Sequence, residues 1–149
     1  MAERDTATTR FTDEERAAMK ERAKEMKTTA RRSPRDRAAE AERDVLEKIS
    51  EMEKPDREMA EKIHAIIKAS APDLMPRTWY GMPAYANPEG RPVVFFQDAG
   101  KFKYRYSTLG FQDTANLDDG DLWPVSYALQ KWSPAVEKRV AELVKAAIS

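Results

Sequence analysis

The chain has no cysteine, a single histidine, five glycines and no long apolar run. The first absence excludes disulfides, thiolate metal sites and cysteine nucleophiles, and it suits a reducing cytoplasm. The second leaves no H-x-x-x-H or H-E-x-x-H pair for a metal. No apolar stretch approaches the roughly 20 residues that cross a bilayer. The opening residues Met1-Ala2-Glu3-Arg4-Asp5 lack the basic start and apolar run of a signal peptide. Net charge is also missing. Twenty-six Lys and Arg balance 26 Asp and Glu, which removes the basic footprint of a nucleic-acid binder. No G-x-S-x-G, P-loop or G-x-G-x-x-G is present. These absences point to a soluble cytoplasmic protein without membrane or nucleic-acid partners, and to binding rather than catalysis. An enzyme of unknown class stays open as an alternative.

The 149 residues suit one domain with a tail. Residues 1–10 are polar and aperiodic and read as disordered. Thr12 and Glu15 make a capping box that opens a helix over 12–31, with Met19, Ala23, Met26 and Ala30 as a thin apolar stripe. Such a helix is a detached arm, a partner-binding segment or simply solvated. Arg31-Arg32-Ser33-Pro34 breaks it, so residues 1–34 form a tail and charged helix ahead of a domain over 36–149. A second helix spans 36–52, with Ala38, Ala41, Val45, Leu46, Ile49 and Met52 at helical spacing. Pro55 belongs in the first turn of a third helix, which carries Met59, Ala60, Ile63, Ile66 and Ile67 and ends at Pro72.

Periodicity then falls from 3.6 towards 2. Trp79–Tyr85 predicts a kinked strand, bulged at Gly81, with Pro83 at an edge or bulge. Asn87–Gly90 is a turn. Pro92–Gln97 is apolar on both faces and predicts a central strand. Asp98-Ala99-Gly100 reads as a tight hairpin connection into an alternating strand, Lys101–Ser107. Asp118–Asp121 is a loop and Leu122–Leu129 a last strand. Ser133 and Pro134 then cap a helix with Val136, Val140, Leu143, Val144 and Ala147 on one stripe. Helices, an antiparallel meander and a final helix make an α+β fold with the helices on one face of the sheet.

Most aromatic surface lies in Trp79–Tyr85 and in the stretches around Phe95 and Tyr104. On a strand, Lys101, Lys103 and Arg105 would line one face and could meet phosphates or a carboxylate. Beside the aromatic rings they form a candidate surface for a small ligand or a protein partner. Its residues are Tyr80, Met82, Tyr85, Lys101, Lys103, Tyr104 and Trp123. Three carboxylates, Asp118, Asp119 and Asp121, are candidate ligands for a hard cation. Yet with Gly120 at the turn of an EF-hand loop, the earlier ligand positions fall on Leu117 and Ala115, which cannot coordinate. Helices two and three carry ten acids, but six interleaved bases, Arg37, Arg43, Lys48, Lys54, Arg57 and Lys62, argue for a solvated, paired face. His64 reads as a partly buried helix-flank histidine.

The run Tyr80-Gly81-Met82-Pro83-Ala84-Tyr85, followed by Val94-Phe95-Phe96 and Lys101-Phe102-Lys103-Tyr104, resembles the YdhG-like family of the YjbR/CyaY-type, frataxin-like superfamily. The resemblance covers about residue 40 to the end. It implies a small cytoplasmic α+β domain. It also implies, for the members labelled iron chaperones, Fe bound through surface carboxylates with no fixed cofactor.

Overall fold

A computed structural model describes residues 11–31 and 34–149, with the side chains of 28–31, 34 and 35 left out. The expectation of a disordered tail over 1–10 lies outside the described residues, as does the side chain of Ala30. The elements are α1 (Asp13–Arg31), α2 (Pro34–Ser50), α3 (Lys54–Ser70), β1 (Met75–Trp79), β2 (Met82–Ala86), β3 (Pro92–Gln97), α4 (Ala99–Phe102), β4 (Ser107–Phe111), β5 (Ser126–Leu129) and α5 (Pro134–Ala147). The five strands form one antiparallel meander in chain order. This is the α+β class, with β3 central as its two apolar faces require.

Register sorts the strand residues into two faces. Tyr85, Val94, Phe96, Leu109, Phe111 and Leu129 share one. They join Val45, Ile49, Ile63, Ile67, Val140, Leu143 and Val144 of α2, α3 and α5 in one buried cluster. Burial of this apolar surface, at roughly 25 cal/mol per Å², is the main stabilising term. Met75, Arg77, Trp79, Met82, Ala84 and Phe95 lie on the other face. There the Phe95 ring lies across Gly110, where any Cβ would overlap it, and stacks edge-on with Trp79 at 5.4 Å.

The kinked strand expected over Trp79–Tyr85 is instead a turn between two strands. Tyr80 and Gly81 have φ of 53° and 74°, the positive pair of a type I′ hairpin turn. Pro83 is not at a sheet edge, since β2 pairs with both β1 and β3. A two-residue turn makes Trp79–Met82 a hydrogen-bonded pair, so alternation puts Thr78–Pro83 and Pro76–Tyr85 at non-hydrogen-bonded positions. Neither proline therefore interrupts that ladder. On its other side Pro83 lies beyond the last β2–β3 pair, Ala84–Phe95.

A second correction concerns the alternating run after Gly100. It is no strand. Three side chains satisfy the free N–H groups that open α4. Ser107 Oγ accepts from Ala99 N at 3.0 Å, Asp56 Oδ2 from Gly100 N at 2.9 Å, and Asp98 Oδ2 from Lys101 N at 3.2 Å. Ser107 Oγ also donates to Asp56 Oδ1 at 3.1 Å. Lys103 then closes the turn in the left-handed region, φ 58°. This local network outweighs the alternation, and the strand begins only at Ser107. The last strand is likewise shorter than Leu122–Leu129, because Pro124 cannot donate and the stretch before it is irregular.

The capping box of α1 forms as the sequence predicts: Glu15 N donates to Thr12 Oγ1 at 3.0 Å and Thr12 N to Glu15 Oε1 at 3.1 Å. Its apolar stripe does not dock, however. Met19, Ala23 and Met26 are exposed, while Ala18 is buried.

Asp56→Ala would orphan the Gly100 N–H and the Ser107 hydroxyl, each costing about 1–3 kcal/mol. Urea denaturation should show a loss in that range or above, with Asp56→Asn recovering part of it. An alanine variant as stable as the parent would contradict the role assigned to this carboxylate.

Candidate functional site

The expected aromatic and basic sheet surface does not assemble. Tyr85 lies in the core, 1% exposed, and Met82 is buried on the opposite face. Tyr80 sits at the hairpin tip, edge-on to Trp79 at 5.1 Å, with the Arg22 guanidinium 5.8 Å from its ring centroid. Lys101 is on α4, and its ammonium is committed to α1. Lys103 pairs with Glu14 at 2.7 Å. Tyr104 is exposed after the helical turn, and Trp123 is half-buried in the 112–125 loop. The alternation that grouped these side chains belonged to a strand that does not form. Asp118, Asp119 and Asp121 are exposed. Among the described residues no group of three or more His, Cys, Asp or Glu side chains is placed to hold a metal ion.

His64 is half-buried, and its partners are not those on its own helix. Its Nδ1 is 2.8 Å from the Tyr85 hydroxyl and its Nε2 3.4 Å from Glu42 Oε1. Lys68 reaches the same Glu42 oxygen at 2.7 Å. Burial lowers the imidazole below its usual value, against the opposing pull of Glu42. Burial likewise raises the Tyr85 phenol far above its ordinary range. A neutral imidazole accepting from a neutral phenol satisfies both groups. With Tyr85 sealed from solvent, the pair is a structural tie between α3 and the sheet.

A different site emerges where α1 meets the β1–β2 hairpin. The backbone polar groups of Gly81 are both taken by charged side chains. Glu25 Oε1 accepts from Gly81 N at 3.0 Å, and Lys101 Nζ donates to Gly81 O at 3.1 Å. The same ammonium meets Glu21 Oε1 at 3.0 Å, and Lys48 meets Glu21 Oε2 at 2.9 Å. Burial works to raise the Glu21 carboxyl, but the hydrogen bonds from Lys48 and Lys101 outweigh it and hold Glu21 below its usual range. Glu25 goes the other way: burial pushes it up, opposed by the Gly81 N–H and by Arg22.

Beside this clamp, α1, α2 and the β1 edge of the sheet, with residues from both of its faces, border a cleft of about 580 Å³. Ala38 and Ala41 of α2 and Met75, Pro76, Ala86 and Pro88 from the hairpin side supply apolar lining. Glu25, Lys48 and Arg77 are among its charged residues. Arg77 is half-buried, and its Nη1 donates to the Gly90 carbonyl at 2.9 Å. Burial, and then the nearby Arg22, lower its guanidinium from the usual value, with Glu25 acting in the opposite sense. Among the described residues, no carboxylate is ion-paired to Arg77.

Apart from Asp44 and Glu47, among the helix-two acids weighed as iron ligands, none of the cleft residues was a sequence candidate. The signal that would have found them is the stretch Met75–Trp79 read as a strand. Its alternation sets Arg77 on the face of Met75 and Trp79, opposite Ala84, where small residues leave room for a neighbour.

No family model, curated protein or solved structure matches the chain. Among the described residues, no helix is long and apolar enough to cross a membrane.

The His64 tie carries a pH signature. Its imidazole takes a proton less readily when folded than when unfolded, so the unfolded chain binds more protons once pH falls below about 6.5. Stability from this group is complete above that value and declines below it. Urea midpoints should drop between about pH 7.5 and 5.5, and less in His64→Gln, across the range of an ordinary histidine. Equal drops in the two proteins would refute the assignment.

Proposed function

We propose that the protein is a non-catalytic binding domain that takes a small, partly apolar molecule into the cleft between α1, α2 and the β1–β2 hairpin. One observation carries this reading: a cleft of about 580 Å³ whose exposed surface is mostly apolar, lined by Ala38, Ala41, Met75, Pro76, Ala86 and Pro88 together with eight charged residues. Small-molecule sites commonly have volumes of roughly 300–1,000 Å³, apolar walls and few polar groups. Two alanines on consecutive turns of α2 keep the wall low. Larger residues at either position would occupy the space a ligand needs.

The reading replaces the aromatic and basic sheet surface with a neighbouring one, at the β1 edge of the sheet beside α1 and α2. It keeps the expectation of non-covalent binding in the cytoplasm. The helix–meander–helix order supports placing the chain with the YdhG-like proteins. The carboxylate iron reading gains no support, since Asp118, Asp119 and Asp121 are exposed and the acids near the cleft are engaged by Lys48, Lys101 and the Gly81 N–H.

A library of one- and two-ring fragments, followed by protein-observed NMR, tests the proposal. Binders should shift the amides of Ala38, Ala41, Arg77 and Ala86 together, with saturation. Ala41→Trp should weaken them at least about tenfold, or 1.4 kcal/mol, while the remaining spectrum stays folded. Binders that map to the far face of the sheet and ignore Ala41→Trp would overturn the proposal.

A further inference from the structure

The charged residues lining the cleft balance in number, Lys24, Arg37, Lys48 and Arg77 against Glu21, Glu25, Asp44 and Glu47. Their pairing is uneven: Lys48 meets Glu21 at 2.9 Å and Glu51 at 3.8 Å, whereas among the described residues no carboxylate is ion-paired to Arg77.

The carboxylates are also already engaged. Glu21 holds Lys48 and Lys101. Glu25 accepts from the Gly81 N–H, and its other oxygen is 3.9 Å from Arg22 Nη1, beyond hydrogen-bond reach. Arg22 Nη1 and Glu25 Oε2 are both buried without a hydrogen bond. Arg77 uses one N–H on a neutral carbonyl. A half-buried guanidinium presents five donors in a planar fork suited to a carboxylate, sulfonate or phosphate. Glu25 acts on Arg77 only at a distance; a half-buried guanidinium without a directly paired carboxylate is costly, and an incoming anion offsets that cost.

We propose that the cleft ligand is an amphipathic anion, with its charged head on Arg77 near Arg22 and its apolar body against Ala38, Ala41, Pro76 and Ala86. The inference rests on the cleft being a ligand site and adds the chemical class. It also gives Glu25 a defined part. Glu25 holds the hairpin tip through one oxygen, while its charge competes with the ligand's for the two arginines. The anion therefore binds against a built-in competitor, which favours a head compact enough to reach the Arg77 fork without meeting Glu25.

Naphthalene-2-sulfonate, whose charge does not titrate, and the neutral methyl 2-naphthyl sulfone separate the two claims. Titrations followed by calorimetry and NMR should show the sulfonate binding about tenfold more tightly, as expected of a charge-assisted pair. The advantage should shrink as salt shortens the screening length from about 10 Å to 3 Å. Arg77→Met should reduce the sulfonate to the affinity of the sulfone and leave the sulfone unchanged. Glu25→Gln, which keeps an acceptor for Gly81, should tighten the sulfonate several-fold and leave the sulfone alone. Equal binding of both probes to the parent, abolished by Ala41→Trp, would overturn the anion assignment and leave the cleft standing. Failure of both probes to bind would overturn the assignment together with the cleft reading. Sulfonate binding that survives both Arg77→Met and Ala41→Trp would place the anion elsewhere and overturn the assignment.

Discussion

Gly81 offers its backbone to the rest of the molecule, and two charged side chains from distant parts of the chain accept the offer. The type I′ turn leaves the N–H and C=O of its second residue outside the strand ladder. Glu25 takes the first and Lys101 the second. A Cβ at Gly81 would displace the Lys101 ammonium and the Glu21 carboxylate, and the φ of 74° at this position favours glycine. Through this one residue the hairpin, α1 and α4 are set relative to one another. Glu21 then links Lys101 to Lys48 and so extends the arrangement to α2. The cleft is the space left between elements held apart in this way.

Much of the architecture was legible because it rests on patterns that tertiary structure rarely overrides. The stripes of α3 and α5 were read correctly, as was that of α2 apart from the exposed Leu46, and so were the capping box at Thr12 and Glu15, the Ser133–Pro134 helix start and the doubly apolar β3. What misled was alternation taken alone. Lys101–Tyr106 alternates perfectly, yet Asp98, Asp56 and Ser107 supply local partners that make a helical turn. Two of the three side chains come from other elements, so the alternation could not reveal them. Tyr80 was misread for a related reason. A non-glycine residue at positive φ is uncommon, and Tyr-Gly is not among the dipeptides that announce this turn.

The site was harder to read than the fold. Aromatic richness drew the expectation to Tyr80, Tyr85 and Tyr104, but large rings are also what a small core needs, and Tyr85 went there. The residues lining the cleft are alanines, prolines and an arginine, none conspicuous in a sequence. Their significance is relational: Ala41 matters because α2 runs past β1, and Arg77 because no carboxylate among the described residues is ion-paired to it. The stripe of α1 misled similarly. Met19, Ala23 and Met26 suggested the buried face, whereas the helix docks through Ala18, Glu21 and Glu25.

That mode of docking separates two kinds of cohesion. The three-helix and sheet core is held by apolar burial, which depends little on ionic strength, whereas α1 is attached mainly by ion pairs and hydrogen bonds at its acidic side. Local opening follows the weakest contacts in a fold. Detachment of the first helix is therefore more sensitive to dissolved ions than melting of the core is.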